Sequence, residues 1–129
     1  MNRSIIRGAV AFGIFVVAGV SARAQAEDAG ELFKKSIRPL FASKCFDCHS
    51  SQAKELQGNL QLETVEQVLK GGATGPAVVA GDVENSFLLR AIRYQEDDYQ
   101  MPPRGRLSDE EIALVEKWVK SLAAGPEGR

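Results

Sequence analysis

Soft and imidazole ligands are scarce in this 129-residue sequence, which has one histidine, two cysteines and two methionines. A structural zinc site takes four Cys or His ligands, usually in two separated pairs; the three available here stand in one place, Cys45, Cys48 and His49. Basic charge is not in excess, with 16 Lys and Arg against 17 Asp and Glu. Nothing in that balance suggests a nucleic-acid partner, which would want a basic surface. No apolar run reaches the roughly 20 residues of a spanning helix, so no retained membrane span is expected. No alternation of strands and helices accompanies the cysteine pair, which removes a thioredoxin-like redox pair.

The amino terminus carries the features of an export signal. Arg3 and Arg7 form a basic start, Gly8 to Val20 is apolar, and Ala22-Arg23-Ala24 and Ala24-Gln25-Ala26 are small-x-small sites. This pattern predicts a signal peptide over residues 1–26 with cleavage after Ala26. Arg3 and Arg7 are not adjacent, so the twin-arginine route is not indicated. Residues 27–129 then form one domain with 13 basic and 17 acidic side chains, a net charge of −4 once Arg3, Arg7 and Arg23 have left.

The cysteines and the histidine fall together as Cys45-Phe46-Asp47-Cys48-His49. Cys-x-x-Cys-His is the attachment signature of a c-type haem. Positions i, i+3 and i+4 of a helical turn share a face. Two thiols can therefore form thioethers with the two vinyl groups of one porphyrin, and the imidazole can reach its iron. One covalent haem c is expected, with Cys45 and Cys48 as anchors and His49 as the proximal ligand. Haem c is attached outside the cytoplasmic membrane, which agrees with export and with a periplasmic or other extracytoplasmic location. A chain this short buries only a modest fraction of its surface. An apolar macrocycle would supply much of the missing core, so the haem-free chain is expected to be poorly ordered.

The other axial position has few claimants. No second histidine exists, and Met1 leaves with the signal, so Met101 is the remaining methionine. It stands in Tyr99-Gln100-Met101-Pro102-Pro103, where two prolines forbid a continuous helix and stiffen the loop. A His49/Met101 pair closes the iron, and the soft thioether favours Fe(II) and raises the potential. That chemistry suits one-electron transfer. No constellation of His, Arg and carboxylate for peroxide cleavage is visible, and the expectation is an electron-transfer protein, not an enzyme. Arg104 and Arg106 are candidate partners for the haem propionates, with Arg90, Arg93 and Lys70 as lesser ones. Leu60 and Leu62, alternating about Gln61, are candidate porphyrin contacts, a pattern equally compatible with core packing. The ring N–H of His49 should meet a backbone carbonyl, which the sequence does not locate. Glu96, Asp97 and Asp98 form an acidic knot, read as a solvated turn, with a role in partner docking as the alternative.

Hydrophobic spacing predicts short helices joined by Gly- and Pro-rich loops, an all-α fold. Glu31 to Lys44 carries Leu32, Phe33, Ile37, Leu40 and Phe41 at helical spacing, with Pro39 expected to kink or split the segment. Thr64 caps a short helix over Glu66 to Lys70, ended by Gly71-Gly72. Turns are expected at Gly75-Pro76 and Gly81-Asp82, and another capped helix from about Glu84 to Arg93. Ser108 and Glu111 form a capping box for a last helix with the stripe Ile112, Val115, Val119 and Leu122, ended by Gly125-Pro126. Trp118 borders that stripe and is expected to pack against the first helix.

Four segments carry a family resemblance. They are Ile37-Arg38-Pro39-Leu40-Phe41, the run from Gly71-Gly72 to Gly81-Asp82, Ser86-Phe87-Leu88-Leu89-Arg90-Ala91-Ile92, and Met101-Pro102-Pro103-Arg104-Gly105-Arg106-Leu107-Ser108. With the Cys-x-x-Cys-His motif, the chain resembles the planctomycete-type cytochrome c domain, a branch of the small class I cytochrome c fold. The resemblance implies short helices wrapped around one haem, terminal helices crossing beside it, and Met101 as distal ligand. Members often carry a basic residue where Gln61 stands here, which removes one expected propionate contact. Such domains commonly head longer polypeptides. The leading expectation is therefore a periplasmic, monomeric monohaem carrier exchanging electrons with unidentified redox-partner proteins. The alternatives are an electron-entry subunit of a larger oxidoreductase and, further off, a haem-based small-ligand sensor.

Overall fold

The first helical path begins where the Asp28 carboxylate accepts the Gly30 N–H at 3.1 Å, a side-chain cap on an otherwise unpaired donor. In the computed structural model, which describes Gly8, Gly13 and residues 28–123, α1 (Ala29–Leu32) runs through a π-helical turn (Phe33–Ile37) into α2 (Arg38–Lys44). Apart from Gly8 and Gly13, the expected signal peptide lies outside the described residues, as does the Gly125-Pro126 stop. Pro39 occupies the first turn of α2 and splits the helix by type without breaking its path. Its ring would crowd the Lys35 carbonyl of a regular α-turn. The turn before it is widened, with the Arg38 N–H bonding the Phe33 carbonyl five residues back.

Leu32, Phe33, Ile37 and Phe41 turn inward from this path, all nearly inaccessible to solvent. They meet α5 (Asp109–Ser121), whose Ile112, Val115, Trp118 and Val119 are buried, with Leu122 just beyond. Phe33 packs on Trp118 with centroids 5.2 Å apart, and Phe41 meets the same indole edge-on at 6.3 Å. Trp118 thus joins the first and last helices, as its place beside the stripe suggested. Truncating such a side chain to alanine costs about 3–5 kcal/mol. Its indole N–H has no hydrogen-bond partner.

The Ser108–Glu111 capping box forms as read at the start of α5, and the Thr64 cap on α3 (Val65–Lys70) proves to be a second box, completed by Gln67. α4 (Phe87–Ile92) begins three residues later than the sequence suggested. Asp82 accepts from the Asn85 backbone and side-chain amides, and the buried Ser86 hydroxyl donates to the Asp82 carbonyl at 2.6 Å while accepting the Val79 N–H at 3.0 Å. Local side-chain bonding of this kind competes with helix, and it holds 82–86 as a turn. Arg93, just past α4, bonds Glu116 of α5 at 2.7 Å.

Among the described residues the fold is all-helical, with two isolated bridges, Gly72 to Gly75 and Val79 to Asp82, and no strand. No helix there is long and apolar enough to cross a membrane. Because α3 and α4 have only six residues each, the loops between helices make up much of the chain, and they enclose the site.

Candidate functional site

α2 ends at Lys44, and the Cys45-to-His49 run continues as a single turn in which the His49 N–H bonds the Cys45 carbonyl at 2.9 Å. One such turn sets the two residues on a common side. The chain after the motif is then folded back onto it. The Gln57 N–H reaches the Cys48 carbonyl at 3.0 Å, and the Leu62 N–H reaches the His49 carbonyl at 3.0 Å. Glu63 accepts from both the backbone and the hydroxyl of Ser51, at 2.8 and 2.9 Å.

This return places the Leu60 carbonyl 3.2 Å from His49 Nδ1. A carbonyl only accepts, so Nδ1 is the donor, and in the neutral ring that tautomer leaves the Nε2 lone pair for a metal. The bond fixes the ring and its tautomer as metal-ligating histidines require. It is the backbone acceptor the sequence called for without locating.

His49 opens onto an apolar cleft with about 990 Å³ of empty space, part of it open to solvent. Cys45, Leu60, Leu62, Met101 and the α4 side chains Phe87, Leu88, Ala91 and Ile92 line it. Gly58, Gly72 and Gly75 line it as well, drawn together by the Ala73 N–H on the Gly58 carbonyl at 2.8 Å and a two-way Gly72–Gly75 pairing. The close approach needs glycine. A Cβ on Gly72 would lie 2.3 Å from the Gly58 carbonyl oxygen, and one on Gly71 only 1.9 Å from that of Gly75. Gly71 also has φ +74°, a region other residues rarely adopt.

The sequence candidates divide cleanly. Cys45, His49, Leu60, Leu62 and Met101 come together around the cleft. Cys48 is exposed and lies outside its lining. Arg104 and Arg106 do not line it either: Arg104 is exposed, and Arg106 bonds Asp109 at 2.8 Å. Arg90 is paired with Glu96 at 2.7 Å, and Arg93 with Glu116. The acidic knot is tied in part by that Glu96 pair, and Asp98 is the charged side chain that reaches the cleft. Burial, and secondarily the neighbouring Cys48, pushes the Cys45 thiol up to about 12, so it stays neutral near pH 7.

Residues 45–105 match the family described as Planctomycete cytochrome C. The match opens on Cys45 and spans His49, the glycine wall, α4 and Met101. The match supports a planctomycete-type cytochrome c domain over these residues. No curated protein and no solved structure matches it. The cytochrome domain implies haem c, and the cleft fits one. Its walls are largely apolar, its thiol and imidazole stand one turn apart, and a thioether lies on the same cleft. Bound there, the haem would supply an Fe(III)/Fe(II) couple, with Cys45 and Cys48 as covalent anchors. The chain's own contribution would be to present Nε2 from a ring held at Nδ1, to offer the Met101 sulfur, and to exclude water with Leu60, Leu62 and α4.

Sequence reasoning passed over Tyr94, whose phenol donates to the Pro102 carbonyl beside Met101. It also did not assign the α4 apolar face to the cleft. The signal for the latter was present in Phe87, Leu88, Ala91 and Ile92, which share helical spacing.

Proposed function

We propose that this cytochrome domain is a monohaem, one-electron carrier working outside the cytoplasm, with His49 and Met101 as axial ligands of a single covalent haem c. The observation that carries the reading is the convergence of Cys45, His49 and Met101 on one apolar cleft, with His49 Nδ1 already committed to the Leu60 carbonyl. Two filled axial positions leave no place for a substrate on iron, so the centre changes oxidation state with little rearrangement. Export by a signal peptide over residues 1–26 delivers the chain to the compartment where haem c is attached. Its partners are redox proteins, and the molecule acts as a monomer.

The test is a potentiometric titration of the exported, haem-loaded protein combined with exposure of the ferrous form to carbon monoxide. A reversible one-electron wave, one haem per chain by mass, and no carbon monoxide adduct are expected. A five-coordinate ferrous spectrum with ready carbon monoxide binding would move the function to sensing or catalysis.

A further inference from the structure

We propose that Tyr94 is the positioning residue for the distal ligand: its phenol latches the Pro102 carbonyl and so holds the Met101 sulfur at the cleft. This rests on reading Met101 as an axial ligand. The backbone on both sides of Met101 is gripped by the end of α4. The Met101 N–H bonds the Ala91 carbonyl at 3.1 Å, and the Tyr94 O–H donates to the carbonyl of the next residue, Pro102. The Ala91 carbonyl also receives the Tyr94 N–H at 3.2 Å, so one peptide group anchors both the ligand loop and the residue that latches it.

Tyr94 adopts φ +61°, a left-handed conformation in a bulky non-glycine residue. Such a conformation is unfavourable and persists where surrounding contacts enforce it, commonly at functional sites. Here it reverses the chain directly after α4, and the phenol reaches eight residues ahead. The remaining contacts hold the same frame. Arg93 is fixed to Glu116 on α5, and the Gly105 N–H, at 3.3 Å, is a second donor on the Pro102 carbonyl. Removing the phenol hydroxyl therefore leaves no orphaned acceptor and preserves the ring, so its loss acts on the loop and not on the core.

The experiment measures imidazole binding to the haem-loaded ferric protein in wild type, Tyr94→Phe, Met101→Ala and Val115→Ala. Imidazole competes with the distal ligand, so its affinity reads how firmly the sulfur is held. Tyr94→Phe is expected to bind imidazole about three- to tenfold more tightly than wild type, the loss of one hydrogen bond. Val115→Ala, in the remote α5 core, should lower the thermal midpoint without moving imidazole affinity. Replacing Tyr94 with a fluorinated tyrosine, which keeps the ring and strengthens the donor, should weaken imidazole binding, and this arm stands even if Tyr94→Phe fails to fold. Unchanged affinity in the Tyr94 variants, or an equal rise in Val115→Ala, overturns the latch while leaving Met101 as ligand. Wild type binding imidazole as tightly as Met101→Ala overturns the ligand assignment and the latch together.

Discussion

Replacing Gly71 with alanine tests the packing behind the glycine wall of the cleft, where Gly71 bears on Gly75, with a single methyl group. The added Cβ would lie 1.9 Å from the Gly75 carbonyl oxygen and 2.6 Å from Pro76 Cα, both backbone atoms that no side-chain rotation can clear. Overpacking of this kind costs about 1–3 kcal/mol. The backbone itself, at φ +74°, adds about 1–3 kcal/mol for a residue with a side chain. The sum, about 2–6 kcal/mol, is a large share of the roughly 5–15 kcal/mol that stabilises a domain. In a domain of this size it lowers the thermal midpoint by at least about 8 °C. The assay is thermal and denaturant unfolding of the haem-loaded protein, with Gly30→Ala as its opposite. Gly30 sits in α1, where a Cβ meets only the Asp28 carboxylate at 3.7 Å, and alanine there should stabilise by about 0.5–1 kcal/mol. If Gly71→Ala lies within about 0.5 kcal/mol of wild type, the steric argument for the glycine wall is wrong.

Two further outcomes are expected. Ser86→Ala removes a fully buried hydroxyl that bridges the Val79 N–H and the Asp82 carbonyl; urea unfolding should show a loss of about 1–3 kcal/mol, and a neutral result would mean the 79–86 turn holds without it. The Cys45 thiol, pushed from an ordinary value of 9.0 up to about 12 chiefly by burial, keeps its proton in the folded haem-free chain where the unfolded chain has lost it. Its contribution to stability is therefore fully present below about pH 9 and declines as pH rises toward 12. The helicity retained by the haem-free chain should fall more steeply across that window than in Cys45→Ala, as followed by circular dichroism. Parallel profiles would contradict the buried thiol.

What could be read in the sequence was what side-chain chemistry writes locally. Cys45, Cys48 and His49 are recognisable because attachment needs those residue types at that spacing, and Met101 because no other thioether remains after residue 26. Trp118, the Ser108–Glu111 capping box and the Thr64 cap followed from helical periodicity and from polar groups that satisfy orphan N–H donors, while the Gln67 half of the second box went unread. The Leu60 carbonyl was not legible, because every residue has a carbonyl and only the return of the chain brings this one to His49. Tyr94 was hidden for a similar reason: a left-handed tyrosine has no sequence signature, and its target lies eight residues away. Proximity in sequence misled as well. Arg104 and Arg106 follow Met101 closely, yet Arg106 turns to Asp109 at the start of α5 and neither side chain lines the cleft. α4 began late because Asp82, Asn85 and Ser86 satisfy one another in a turn, a competition that apolar spacing does not reveal.

The account depends most on the Met101 sulfur standing opposite His49. The direct measurement is the long-wavelength absorption of the ferric, haem-loaded protein, in wild type and in Met101→Ala. A weak sulfur-to-ferric band in wild type that disappears in Met101→Ala is the predicted result. Its absence from wild type, or its survival in Met101→Ala, would contradict the axial pair and with it the closed one-electron centre.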